Sequence, residues 1–264
     1  MSPQFRTAYV AFETNADRAP WVAGKFRAPA SGRPGPAVVI CHGSDGVDGR
    51  GEFHARALNE GGIATLEIDM WAARGSTRDA AARPGSPVET LPDAFAALRF
   101  LGRQPEIDPA RVGVMGFSWG GVVTLLSATR RHADALRGEA PAFAAHAAFY
   151  PVCWAYLRVP ALALTDLTGA PILIQTGDAD AYDAPDGGEA LVQALRAAGG
   201  APVRGVTHAG AGHGFDRDLP AQTIVDPFAH RGAGGPVPMA FHRQAAEAAR
   251  AEMARFFLDA LHMT

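Results

Sequence analysis

The sequence predicts an α/β protein: a mostly parallel, twisted sheet of about seven to eight strands, helices on both faces and a minimal cap. Three observations predict it. Short continuous apolar runs alternate with helix-compatible ones along the chain. A Gly-x-Ser-x-Gly turn, Gly116-Phe117-Ser118-Trp119-Gly120, joins a strand-like run to a helical one. Two later strand-like runs end in segments rich in aspartate and histidine. With 264 residues, 48% of them hydrophobic and 19% charged, the chain can build a sizeable core, and it reads as one domain over 1–264.

The elements follow in order. Residues from about 8 to 27, interrupted near Arg18-Ala19-Pro20, form an antiparallel entry hairpin. Ala37-Val38-Val39-Ile40-Cys41 is a short buried strand, and a helix around Phe53 to Asn59 ends at Gly61-Gly62. Ile63 to Ile68 is the next strand, and a helix from about Pro92 to Leu101 precedes the strand Arg111 to Met115. After the serine turn comes the apolar helix Val122 to Leu126, then central strands at Phe143 to Tyr150 and Pro171 to Thr176. A helix over Glu189 to Ala197 stops at Gly199-Gly200 before the strand Val203 to Thr207. Between Asp216 and Pro238, glycine and proline predict a long loop beside the histidine segment. Phe241, Ala245, Ala249, Met253 and Phe257 then recur at helical spacing, with charged residues between them, so the chain closes on an amphipathic helix.

Composition narrows the function. A formal net charge of −3, with basic residues scattered and Lys25 the only lysine, gives no reason to expect nucleic acid or an acidic membrane surface as partner. The start of the chain has no apolar segment of leader type and no run of membrane-spanning length, so the expected location is the cytoplasm. Cys41 and Cys153 form no disulfide framework, and His42, His54, His146, His230 and His242 show no metal spacing. Neither a metal nor a cofactor is expected.

The serine turn carries the chemistry. Strand, Gly-x-Ser-x-Gly and helix together make a nucleophile elbow, in which Ser118 stands above the sheet edge on a strained turn. Such a serine needs a base to take its proton and a carboxylate to orient that base, in chain order Ser, acid, His. The strand Pro171 to Thr176 runs into a segment holding Asp178, Asp180 and Asp183, and the strand Val203 to Thr207 runs into one holding His208 and His213. Both fall where the topology requires them. An oxyanion hole needs the amide of the residue after the nucleophile, Trp119, and one from the loop after an earlier strand. Cys41-His42-Gly43-Ser44-Asp45-Gly46 supplies that loop, with the Ser44 amide facing inwards.

Cys-His-Gly-Ser-Asp-Gly, Gly-Phe-Ser-Trp-Gly-Gly, Gly-Asp-Ala-Asp and Gly-His-Gly-Phe-Asp together resemble the dienelactone hydrolase family of α/β hydrolases, from roughly Pro36 to the C-terminus. The resemblance implies the α/β-hydrolase fold, Asp180 as the acid and His213 as the base. Founding members carry a cysteine nucleophile, from which Ser118 departs. They also hold a glutamate beside the oxyanion loop, where Gly43 stands here. An arginine four residues past the histidine belongs to their carboxylate site, and Arg217 matches it.

Around this centre, Trp71, Trp119, Trp154 and Tyr182 follow strand ends and are candidates for an apolar pocket. Arg74, Arg78 and Arg217 are candidates to hold a substrate carboxylate. The predicted activity is hydrolysis of a small carboxylic ester or lactone through an acyl-enzyme. A small peptidase or acyl-transferase on the same triad is the second enzyme reading. A non-catalytic binding protein that kept the fold is the third.

Overall fold

The computed structural model of the chain describes residues 5–16, 19–30, 33–75 and 83–262. Eight strands form one sheet in the order β1-β2-β4-β3-β5-β6-β7-β8. The strands are β1 (Phe5–Ala16), β2 (Ala19–Pro29), β3 (Gly35–Cys41), β4 (Ala64–Asp69), β5 (Ile107–Phe117), β6 (His146–Phe149), β7 (Ile172–Gly177) and β8 (Val203–His208). β1 pairs antiparallel with β2, and β2 antiparallel with β4. From β4 to β8 every pairing is parallel. This is the expected α/β-hydrolase arrangement.

Parallel strands need crossovers, which the helices α1 (Gly49–Glu60), α2 (Leu91–Leu101), α3 (Trp119–Ser127) and α6 (Gly187–Ala198) supply. Alternation along β3 shows how both faces are filled. Ala37, Val39 and Cys41 point into the core beneath α2, α3 and α6, whereas Val38 and Ile40 point into the core beneath α1 and the C-terminal helix α8 (Arg243–His262). The Ala245, Ala249, Met253 and Phe257 stripe of α8 lies in that second core, as its period requires.

The chain runs from β3 outward to β4 and then back across β3 to β5. Strand order therefore reverses between β3 and β5, and a crevice opens beyond their C-terminal ends. The serine turn follows β5 and the Gly43-Ser44 loop follows β3, so one crevice edge carries both.

Several elements differ from expectation. Helix α1 starts four residues earlier than Phe53, at Gly49, because the Asp48 carboxylate caps it by accepting from the Arg50 amide at 3.0 Å. β6 is confined to His146–Phe149, since Tyr150 turns into the left-handed region at φ 38°. Two short helices, α4 (Arg130–Leu136) and α5 (Trp154–Arg158), were not foreseen. The stretch expected to be loop holds a two-stranded hairpin instead, β9 (Gln222–Asp226) and β10 (Gly235–Met239), with α7 (Ala229–Gly232) between them. Its prolines Pro236 and Pro238 face solvent while Val237 and Met239 are buried, an edge arrangement that tolerates proline.

Candidate active site

Ser118 lies between the last residue of β5 and the first of α3, at φ 50° and ψ −109°. For a residue with a Cβ this conformation costs on the order of 1–3 kcal/mol and persists only where the surroundings enforce it. The Ser118 amide donates to Phe149 O at 3.0 Å and its carbonyl accepts from Val122 at 2.9 Å. The flanking glycines have no room for a side chain. A Cβ on Gly116 would stand 2.2 Å from Gly120 O, and one on Gly120 would stand 2.1 Å from Cys41 O.

His213 follows β8 and reaches across to this serine. Its Nε2 is 2.8 Å from Ser118 Oγ, and its Nδ1 is 2.8 Å from Asp180 Oδ2. The other Asp180 oxygen accepts the Tyr182 amide at 2.9 Å, which fixes the carboxylate in its loop after β7. Asp180 and His213 are both buried. The other candidates are occupied elsewhere. Asp178 accepts from the Gly210 amide at 2.7 Å. Asp183 caps α5 by accepting from the Cys153 and Trp154 amides at 2.8 and 2.7 Å. Burial pushes the Asp183 carboxyl up to about 6 despite those two donors. His208 Nε2 meets Gln175 Oε1 at 3.0 Å, away from the serine. Ser118, His213 and Asp180 are thus the residues brought together.

Ser44 lies in the loop after β3, and Trp119 is the first residue of α3. Trp119 N is one of the donors that a helix start leaves without an intrahelical partner. Neither amide donates to a protein acceptor among the described residues. The Ser44 peptide is held by Trp71, whose indole Nε1 donates to Ser44 O at 3.2 Å. Just before it, His42 Nδ1–H donates to Gly43 O at 2.7 Å and Nε2 accepts the Met70 amide at 2.9 Å. Burial lowers His42 to about 4, so it stays neutral in that bonding state at pH 7.

The Trp71 and Trp119 rings meet edge to face at 5.3 Å, and Trp119 Nε1 donates to Thr90 Oγ1 at 3.0 Å. Tyr182 lies against the His213 ring, centroid to centroid 4.3 Å. The β9–β10 hairpin also grips the acid loop: the His230 amide donates to Ala181 O at 2.8 Å and Arg231 to Tyr182 O at 3.0 Å. Trp154 packs over Gly232, farther along the same wall.

The arginine expectations are revised. Arg74 makes a buried bidentate pair with Asp93 of α2, at 2.6 and 3.1 Å, and also donates to Met70 O and Glu89 O. It is committed to the fold rather than open to a ligand. Arg217 pairs with Asp45 at 3.1 Å and approaches Asp48 at 3.7 Å. Beside it Gly214, Leu219, Pro220, Met239 and Ala240 line a shallow surface depression. Arg78 lies outside the described residues. No group of three or more His, Cys, Asp or Glu among the described residues is arranged to hold a metal ion.

The family model for the dienelactone hydrolase family matches residues 22–261, nearly the whole chain. The chain belongs to the dienelactone hydrolase family. It is therefore a hydrolase of ester bonds by family, as the sequence resemblance implied. An uncharacterized protein of Mycobacterium tuberculosis (strain H37Rv) is 30% identical over 216 residues, covering 78% of this chain and 72% of its relative. Among solved structures, the dienelactone hydrolase of Anabaena variabilis ATCC 29413 superposes with a TM-score of 0.66 at 19% identity, over 99% of this chain and 100% of that one. A dienelactone hydrolase-like promiscuous phosphotriesterase from metagenomic libraries gives 0.67 at 20% identity, over 97% and 98%. An esterase of Pyrobaculum calidifontis gives 0.63 at 16%, over 96% and 85%. At these identities the structural likeness speaks for the fold. Among the described residues, no helix is long and apolar enough to cross a membrane.

One part of this family member's site had no counterpart in the sequence reading. Tyr150 is fully buried beside His213; Arg50 and Asp216 bond its hydroxyl, and His54 bonds the other oxygen of Asp216. Asp216 closes the Gly-His-Gly-Phe-Asp segment, so an unexplained aspartate in that motif was the available signal.

Proposed function

We propose that this dienelactone hydrolase family member is a serine esterase that cleaves small carboxylic esters or lactones through an acyl-enzyme. The observation that carries the reading is the run of two 2.8 Å contacts from Ser118 Oγ to His213 Nε2 and from His213 Nδ1 to Asp180 Oδ2, ending on a serine at φ 50°. In this reading His213 removes the Ser118 proton as Oγ attacks the substrate carbonyl carbon. Asp180 accepts the Nδ1–H and stabilises the imidazolium that forms. The Ser44 and Trp119 amides receive the developing oxyanion, each worth on the order of 10²–10³ in rate. His213 then returns the proton to the departing alkoxide oxygen. A water, deprotonated by His213, attacks the acyl carbon and frees Ser118.

The surroundings favour an uncharged substrate. Arg74 and Arg217, the described arginines expected to bind a carboxylate, already face Asp93 and Asp45. The Trp71–Trp119 pair offers an apolar wall whose indole donors are used within the protein. The test is turnover of p-nitrophenyl butyrate by the wild type beside Ser118→Ala, with folding verified by circular dichroism. The reading requires turnover in the first and background rate in the second. Unchanged turnover in Ser118→Ala would refute it.

A further inference from the structure

The His213 ring also packs against Tyr150. The two rings meet edge to face with centroids 4.8 Å apart. Tyr150 occupies a left-handed backbone conformation at φ 38°, which brings this ring under the histidine immediately after β6 ends. Its hydroxyl has two partners. It donates to Asp216 Oδ1 at 2.5 Å and accepts from Arg50 Nη1 at 3.2 Å.

Both partners are themselves fixed. The second Asp216 oxygen meets His54 Nε2 at 2.8 Å, with neither side chain exposed. Arg50 holds Asp48 through Nε at 2.9 Å and Nη2 at 2.7 Å, and stacks over the ring of Phe117, the residue before Ser118, at 5.3 Å. Arg50 also fills the space beside Gly43, where a Cβ would stand 3.0 Å from Nη2. One buried polar chain thereby touches the oxyanion loop, the residue before the nucleophile and the ring beneath the base.

Burying two carboxylates and a guanidinium contributes little net stability against an apolar core of the same shape. The arrangement does fix geometry, because each member has its rotamer set by the next. We propose that Tyr150 is a positioning residue for His213, held under the imidazole by Asp216 and Arg50. The inference rests on His213 being the base, as proposed above. Tyr182 packs against the same imidazole with centroids 4.3 Å apart, so two aromatic rings restrict His213 while its Nε2 faces Ser118.

The test compares Tyr150→Phe, Asp216→Ala and Asp216→Asn with the wild type. The readouts are kcat and KM for p-nitrophenyl butyrate and the rate of Ser118 labelling by a p-nitrophenyl phosphonate, all at a temperature where thermal unfolding shows each variant folded. Tyr150→Phe keeps the ring and loses the anchor. Its kcat and labelling rate fall together on the order of tenfold to a hundredfold, with KM within about twofold. Asp216→Ala behaves alike, and Asp216→Asn, which still accepts the Tyr150 hydroxyl, recovers most of the rate. A structural role alone would lower the melting temperature and leave both rates of the folded protein unchanged. Folded Tyr150→Phe with wild-type kcat and labelling overturns the proposal. If Tyr150→Phe does not fold, equal rates for Asp216→Ala and wild type overturn it. Failure of the underlying esterase reading looks different: the wild type then reacts with neither ester nor phosphonate, and the proposal falls with it.

Discussion

Replacing Asp180 by asparagine changes little in volume and much in hydrogen bonding. Asp180 is asked to accept twice, from the Tyr182 amide at 2.9 Å and from His213 Nδ1 at 2.8 Å. An asparagine has one acceptor oxygen, and the fixed backbone donor of Tyr182 claims it. The NH₂ group then faces Nδ1, so His213 must become the acceptor there and carry its proton on Nε2. In that tautomer Nε2 cannot remove the Ser118 proton across the 2.8 Å contact. Loss of the correct tautomer costs on the order of 10⁴ in kcat, about 5.4 kcal/mol in activation free energy. The assay is kcat for p-nitrophenyl butyrate at pH near 7, with KM recorded beside it. KM should move little, since Asp180 lies on the far side of His213 from the serine. A kcat within about tenfold of the wild type would refute the argument.

Two further outcomes follow from the packing and the charges. Gly120→Ala puts a Cβ 2.1 Å from Cys41 O and 2.7 Å from His42 O, both backbone atoms that cannot step aside. It should cost about 3 kcal/mol or more and lower Tm by roughly 6–12 °C, and an unchanged Tm would contradict the close approach of α3 to β3. Burial lifts the Glu67 carboxyl from its ordinary 4.5 to about 7. Because the folded state binds the extra proton between those values, Glu67 costs stability as pH rises through that window. Glu67→Gln removes the charge, so its Tm relative to the wild type should rise between about pH 4.5 and about pH 8. A difference that stays constant with pH would contradict the burial of this carboxylate.

The strands, their order along the chain and the serine elbow were legible because each is a local pattern. β3, β4 and β7 are short apolar runs, and Gly116-Phe117-Ser118-Trp119-Gly120 needs only its flanking strand and helix to be read. Asp180 was not separable from Asp178 and Asp183 on spacing, since loop residues one or two apart differ only in which backbone donors they meet. Arg74 shows the limit most clearly. Its position after β4 suits a ligand, but its partner Asp93 sits in α2 and is identifiable only once the helix packs. Asp93 had left a trace, a charged residue among the buried positions of an apolar helix. The β9–β10 hairpin was hidden by its glycines and prolines, which read as loop until Val237 and Met239 find a wall to cover. The Arg50–Tyr150–Asp216–His54 chain joins α1, the end of β6 and the histidine loop, and only Asp216, closing the Gly-His-Gly-Phe-Asp motif, left a trace in the sequence.

The central claim is that Ser118 attacks an ester carbonyl with His213 as its base. It is tested most directly by rapid-quench mass spectrometry of the protein mixed with excess p-nitrophenyl butyrate, followed by peptide mapping. The expected result is one butyryl adduct per chain on the peptide carrying Ser118, formed in step with the first p-nitrophenol released, and no adduct in His213→Ala. Ester turnover with no acyl adduct, or an adduct on a different residue, would contradict it.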